Sequence, residues 1–312
     1  MEHLELNSSC ILDQNKLNML TLEKCLVCGS GNFEPFLVCE DYTVSQESFN
    51  IVSCKACGFK FTNPRPDNSV LGNYYKAESY VSHTNSKKGI VNKLYHGVRN
   101  YTLKTKVQLV SSYVSLGTLL DYGCGTGMFL NACNKSGWET YGMEPDDSAR
   151  KMASEHGLNV FSDKAKVQTY ITDKKVNAIT LWHVLEHVTD MEETLAFFKS
   201  KLNPDGVLII AVPNYVSYDA QYYKEFWAAY DVPRHLHHFE EKSIKSLLEN
   251  SGFKLQETKP MKFDSFYVSM LSEKYKTGSV NLIKAFFVGL KSNLSAKNTS
   301  SYSSTIYIFK HK

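Results

Sequence analysis

The sequence predicts an open α/β sheet preceded by a small cysteine-rich module. Three observations predict it. Two matching turns, Cys25-Leu26-Val27-Cys28-Gly29 and Cys54-Lys55-Ala56-Cys57-Gly58, stand near the N-terminus. A glycine-rich loop, Gly123-Cys124-Gly125-Thr126-Gly127, follows directly on the apolar run Thr118-Leu119-Leu120-Asp121. Beyond it, short apolar runs alternate with helical patterns, as in a sheet flanked by helices.

Bulk properties fit a main domain plus a module. The chain has 312 residues, 43% of them apolar and 12% aromatic, enough for a large core. A net charge of +3 gives no strong pull toward nucleic acid or membrane. Residues 1–24 mix Glu2, Glu5, Asp13 and Lys16 among their leucines, unlike a signal peptide, and no run approaches the ~20 apolar residues of a membrane span. A soluble, cytoplasmic protein is expected. In that compartment eight cysteines point to metal or free thiols rather than disulfides.

Each Cys-x-x-Cys turn places two thiolates on one side of a tight loop. Together Cys25, Cys28, Cys54 and Cys57 supply the four ligands of a closed, structural zinc site. The 25 residues between the pairs alternate apolar and polar and read as short strands, so residues 1–70 are expected to form a zinc ribbon. Over that span nine acidic residues face five basic ones, a surface that repels phosphates and argues against nucleic acid as partner. Cys10, Cys39, Cys124 and Cys133 have no such spacing and read as small apolar residues.

Residues 71–115 are basic, with Lys87, Lys88, Lys93, Arg99, Lys104 and Lys106 facing little but Glu78. Val91, Leu94, Val98, Leu103, Val107 and Val110 recur at helical spacing, which predicts a helical linker with a solvated basic face. The strand at 118–121 and the helix predicted over 128–136 put the glycine loop at a strand-to-helix turn, where open α/β sheets bind ligands. No Lys follows Gly127, so the loop is not a phosphate loop. Its spacing is G-x-G-x-G, and Asp121 would set a carboxylate beside a pyrophosphate, which disfavours a dinucleotide. A cationic ligand suits it better.

The run from Leu120 to Gly127 resembles the first motif of class I S-adenosylmethionine-dependent methyltransferases. The resemblance implies that Asp121 contacts the amino-acid end of the cofactor while Gly123, Gly125 and Gly127 let the backbone approach it. A second strand ends in Glu144, 17 residues beyond Gly127, and is expected to bind ribose. A third, at 159–163, ends in Ser162 and Asp163, where the family often contacts adenine. The run Trp182-His183-Val184-Leu185-Glu186-His187-Val188 is similar to the fourth motif, with His183 on the cofactor wall, and 202–214 matches the fifth strand. Strands at 253–259 and 304–310 would complete a Rossmann-like seven-stranded sheet over 116–312, in the family's order 3-2-1-4-5-7-6. The cysteine pairs ahead of such a domain resemble sugar C-methyltransferases acting on nucleotide-linked deoxysugars and related small-molecule enzymes.

Methyl transfer needs an aligned acceptor and, for many acceptors, a base. The segment Asp231-Val232-Pro233-Arg234-His235-Leu236-His237-His238-Phe239 is unusually rich in such groups. His235, then His238, are the candidate bases, and Arg234 the candidate clamp for an acceptor's carboxylate or phosphate. The aromatic cluster Tyr215, Tyr218, Tyr222, Tyr223, Phe226, Trp227 and Tyr230 would wall an acceptor pocket or pack in the core. Residues 264–301 read as a helical insertion whose stretch 282–290 is apolar enough for a core or dimer contact, with 293–304 as a polar loop. The expected reaction is methyl transfer from S-adenosylmethionine to a small molecule. Its rivals are RNA base methylation through the ribbon and a non-catalytic cofactor-binding module.

Overall fold

The computed structural model describes residues 18–76, 90–171 and 175–312, with 90–96 as backbone only. The N-terminal strands are β1 (Met19–Leu20), β2 (Phe33–Glu40), β3 (Ser48–Cys54), β4 (Lys60–Thr62) and β5 (Arg65–Pro66). Then come α1 (Ile90–Tyr113), β6 (Thr118–Tyr122), α2 (Met128–Lys135), β7 (Glu139–Met143), α3 (Asp147–Glu155), β8 (Asn159–Phe161) and α4 (Lys164–Tyr170). The chain continues through β9 (Val176–Trp182), α5 (Met191–Lys201), β10 (Leu202–Pro213), α6 (Tyr218–Tyr223), β11 (His237–His238) and α7 (Glu241–Asn250). It ends with β12 (Phe253–Pro260), α8 (Asp264–Thr277), α9 (Leu282–Thr299) and β13 (Ser304–His311).

The main sheet runs β12-β13-β10-β9-β6-β7-β8, which is the expected order 3-2-1-4-5-7-6. Its strands are parallel apart from β13, which is antiparallel to both neighbours. All five residues of β6 are buried, as a central strand covered on both faces requires. The chain winds outward from β6 to β8 on one side and from β9 to β10 on the other, which places the ends of β6, β7 and β9 around one crevice.

Three expectations are corrected. The basic segment is no mere linker: α1 lays Val107 and Val110 into the core beside Leu130, Trp138 and Ile209. Cys10, Glu78, Lys87 and Lys88 lie outside the described residues. The polar stretch after 293 is not a loop, because α9 runs to Thr299 with Ala296 buried and Ser292 donating to buried Asp219 at 2.6 Å. Of the apolar stretch 282–290, Ala285 and Val288 are buried, and Gly289 packs so closely on Phe266 that a Cβ would come within 2.8 Å of its ring. Ile283 and Phe287 point outward, 73% and 62% exposed.

The third correction concerns the N-terminal module, which is stitched into the domain. β2, β3 and β4 form an antiparallel sheet whose fourth strand is β11, with His237 opposite Phe61 and His238 opposite Lys60. Phe59 and Phe61 share one buried cluster with Leu120, Ile210 and Phe239. Tyr215, Tyr223, Trp227 and Tyr230 pack against Cys39, Phe49, Ile51 and Tyr74. Those four aromatics therefore form core between module and domain, not pocket wall. Among the described residues no helix is long and apolar enough to cross a membrane.

Candidate functional site

The four cysteines of the paired turns converge. Cys25 Sγ lies 3.6 Å from Cys57 Sγ, and Cys28 Sγ 3.6 Å from Cys54 Sγ. Four sulfurs on a tetrahedron about 2.3 Å from a zinc ion would stand about 3.8 Å apart, so the set fits that ion with little movement. Burial raises the Cys54 thiol, but the backbone amides of Cys57 and Ala56 outweigh it and bring the pKa down to about 7, while burial holds the Cys25 and Cys57 thiols up.

At the crevice, Gly125 has φ +54°, and a Cβ built on it would meet no atom within 4 Å. The loop thus presents bare backbone to open space, which is what close approach of a ligand requires. Gly123 and Gly127 answer to packing instead. A Cβ on Gly123 would lie 2.5 Å from the Val184 side chain, and one on Gly127 within 2.8 Å of Leu158 and Ala153. The glycines therefore divide their work, one facing the ligand space and two letting the surrounding elements close.

Two carboxylates tip the strands around that space. Asp121, at 2% exposure, accepts a 2.7 Å bond from Thr180 Oγ1. Burial pushes its pKa up to about 7, against the pull of the Thr180 hydrogen bond and the Lys106 cation. Glu144 accepts from Gly125 N–H at 2.8 Å and from Asp146 N–H at 2.9 Å, and burial likewise raises its pKa. Lys106 is not on a solvated face, for its Nζ stands 4.2 Å over the Trp182 ring. Desolvation lowers its pKa, opposed by Asp264 and Asp121. Ser162 and Asp163 are engaged locally: Asp163 caps α4 by accepting from Lys166 N–H at 2.8 Å, and Ser162 donates to Asp163 at 2.7 Å.

His183 follows β9 with φ +59° and a third of its side chain exposed. Its Nε2 pairs with Asp264 Oδ2 at 2.9 Å, and its Nδ1 lies 3.5 Å from Glu186 Oε1. Burial lowers its pKa, but the bond to Asp264 and the nearby negative charge of Glu186 override that and lift it to about 9. Asp264 was missed by sequence reasoning. It opens α8, 81 residues from His183, and nothing local marks it.

The histidine-rich segment departs from expectation in two of its three candidates. Arg234, 1% exposed, bonds Asp231 at 2.6 Å, Asp41 at 3.0 Å and the Tyr74 carbonyl at 2.9 Å. It cannot clamp an acceptor while it ties the module to the domain; a buried pair of this kind is strongly destabilising to break. His238 is buried, with Nε2 3.2 Å from Thr62 Oγ1, and desolvation drives its pKa far down. Its place in β11 makes it structural. His235 is brought beside Glu186 and His187, its ring 4.6 Å from that of His187.

Comparison with known proteins agrees with this architecture. Residues 95–258 match the family described as methyltransferase domain. A ubiquinone biosynthesis O-methyltransferase of Actinobacillus pleuropneumoniae serotype 7 (strain AP76) is 37% identical over 106 residues, 31% of this chain and 45% of that protein. The chain thus spans about half the length of that relative. The protein of that name from Rickettsia bellii (strain OSU 85-389) is 23% identical over 209 residues, 62% of this chain and 83% of its own. A magnesium protoporphyrin IX methyltransferase from Synechocystis PCC 6803, solved with bound SAH, covers 79% of this chain and all of its own with a TM-score of 0.51 and 14% identity, a likeness of fold alone. With the family match spanning more than half of its length, on a sheet of the order 3-2-1-4-5-7-6, the chain belongs to the methyltransferase-domain family.

Proposed function

We propose that the protein transfers a methyl group from S-adenosylmethionine to a small-molecule acceptor, and that the cysteine cluster holds a structural zinc. The observation that carries the reading is the pair of acids, buried Asp121 and half-buried Glu144, set around bare backbone at Gly125. S-adenosylmethionine supplies the electrophilic methyl on a sulfonium. Asp121 offers its charge to the cationic amino-acid end, and Glu144 accepts both ribose hydroxyls. Ser162 and Asp163 line the approach to the base, and His183 stands at the cofactor wall.

The acceptor side falls to His183 and Asp264. A hydroxyl acceptor, the class named in the O-methyltransferase relatives, must lose its proton as its oxygen attacks the methyl carbon. The neutral form of His183, whose share grows as pH rises toward its pKa of about 9, takes that proton, and Asp264 stabilises the imidazolium that results. Such a base contributes roughly 10²–10⁴-fold in rate. Release of S-adenosylhomocysteine across a panel of hydroxyl-bearing metabolites, nucleotide-linked sugars included, tests the reading. His183→Asn is expected to lower kcat by roughly 100-fold or more with a far smaller change in cofactor affinity. Turnover at the wild-type rate by that variant would remove His183 from the chemistry, and absence of any cofactor binding would remove the whole reading.

Cofactor binding is expected to depend on pH through Asp121. Its pKa in the free protein is about 7, so at pH 6 most molecules carry it neutral. A cationic ligand favours the ionised form, and binding must first expel that proton. Affinity for S-adenosylhomocysteine, whose amino-acid end carries the same ammonium, therefore rises roughly tenfold from pH 6 to pH 8 and then levels. Calorimetry at several pH values measures this, and a flat profile would contradict it. Without ligand the sign reverses: a raised carboxyl pKa stabilises the fold at low pH, and that stability is lost as pH climbs through about 7.

A further inference from the structure

We propose a second metal site, outside the cysteine cluster, in which Glu186, His187 and His235 bind a divalent transition-metal ion. One ligand atom from each lies within 4.8 Å of the others. The sequence hides this set, because Glu186 and His187 follow β9 while His235 arrives 48 residues later on the loop before β11.

The argument rests on where the protons are. His187 Nδ1 lies 3.0 Å from the Arg234 carbonyl, and His235 Nδ1 lies 2.8 Å from the Ala229 carbonyl. A carbonyl can only accept, so in both rings Nδ1 carries the hydrogen and the lone pair is on Nε2. The Tyr75 hydroxyl oxygen, 2.9 Å from His187 Nδ1, can accept a share of that same N–H. Metal-binding histidines are commonly held this way, one nitrogen donating to a carbonyl and the other free to coordinate.

The third group makes the case. Glu186 is fully buried, and neither of its carboxylate oxygens has a hydrogen-bond partner. Its nearest cation is His183, whose Nδ1 stands 3.5 Å from Oε1, and His183 is already paired with Asp264 at 2.9 Å. Asp231 adds a further acceptor, 3.9 Å from His235 Nε2. A buried carboxylate and two imidazole rings therefore lie together away from water, with His183, 3.5 Å from Oε1, as the nearest donor. Such a group of Lewis bases is costly to bury unless a cation sits between them.

Two imidazoles and one carboxylate suit Zn²⁺, Fe²⁺ or Co²⁺, and leave coordination positions for a solvent or ligand oxygen. The ligand atoms would close to about 2.1 Å from the ion. Bound there, the ion would pin the turn after β9, which carries His183, to the loop before β11.

Cobalt is the probe. Protein whose cysteine site is filled with zinc is titrated with Co²⁺, and bound metal is read by elemental analysis and visible absorption. Wild type is expected to take up one cobalt per chain, with a nitrogen–oxygen spectrum and its zinc retained. Glu186→Gln and His187→Gln are each expected to weaken that uptake more than roughly 100-fold while zinc content stays at the wild-type level, which reports an intact module. The two variants approach the site from different side chains, so a folding defect in one leaves the other as the test. No cobalt beyond the zinc, cobalt with thiolate charge-transfer bands, or undiminished uptake by Glu186→Gln would each overturn the site. Neither cofactor nor acceptor enters this measurement, so its failure is separate from failure of the methyltransferase reading.

Discussion

Glu144→Gln is expected to weaken S-adenosylhomocysteine binding by roughly 30- to 1,000-fold, or about 2–4 kcal/mol. The size follows from what the carboxylate does. Ionised, it is an acceptor with two oxygens, and in the free protein those oxygens hold the amides of Gly125 and Asp146 at 2.8 and 2.9 Å. A ribose diol presents two donors, and only a carboxylate can accept from both at once. Gln replaces one acceptor oxygen with a donor, which then faces a ribose hydroxyl or the Gly125 amide in a buried place. The variant keeps its shape and volume, so the fold is expected to survive and the loss to appear in affinity. Calorimetry with S-adenosylhomocysteine decides it: a Kd within threefold of wild type would mean that Glu144 does not meet the nucleoside.

Cys54→Ser is expected to unfold the N-terminal module and to loosen the domain behind it. A structural zinc supplies on the order of 10 kcal/mol to the folding of a small metal site, comparable with the whole stability of a typical domain. The consequence spreads because β4 pairs with β11, a strand that the domain contributes to the module's sheet, and Phe59 and Phe61 share a core with β6 and β10. Arg234 binds Asp41 of the module and Asp231 of the domain at once, so opening the module leaves a guanidinium without one buried partner. The measurable results are zinc content falling from one per chain toward none, a lowered Tm, and tryptic cleavage after Lys60. That bond is shielded in the native protein by its pairing with His238. A variant melting with wild type, or wild type that purifies without zinc, would refute this account.

These two expectations differ in how early they could be seen. The acid at the end of β7 and the glycine loop before α2 are short-range patterns: an apolar run, a tight turn, a helix of one crossover length, another apolar run. Chain stiffness and strand geometry fix such patterns locally, and the order of the seven strands came from the family resemblance that these patterns carry together. The cysteine pairs were legible for the same reason, since each is complete within four residues and needs only its twin.

The histidines illustrate the opposite case. Nine residues containing three of them looked like one reactive cluster, yet β pairing with the N-terminal module turned His237 and His238 into strand residues. Arg234 was drawn to Asp41, 193 residues away. His183 found Asp264, and His235 was set against Glu186 and His187. The sequence by itself determined the strands of the main sheet, the glycine loop after β6 and the pairing of the cysteine turns, because those depend on neighbours along the chain. Only the tertiary structure decided which side chain meets which, because a partner many residues distant is chosen by how strands align and cores fill, and no local pattern records that choice.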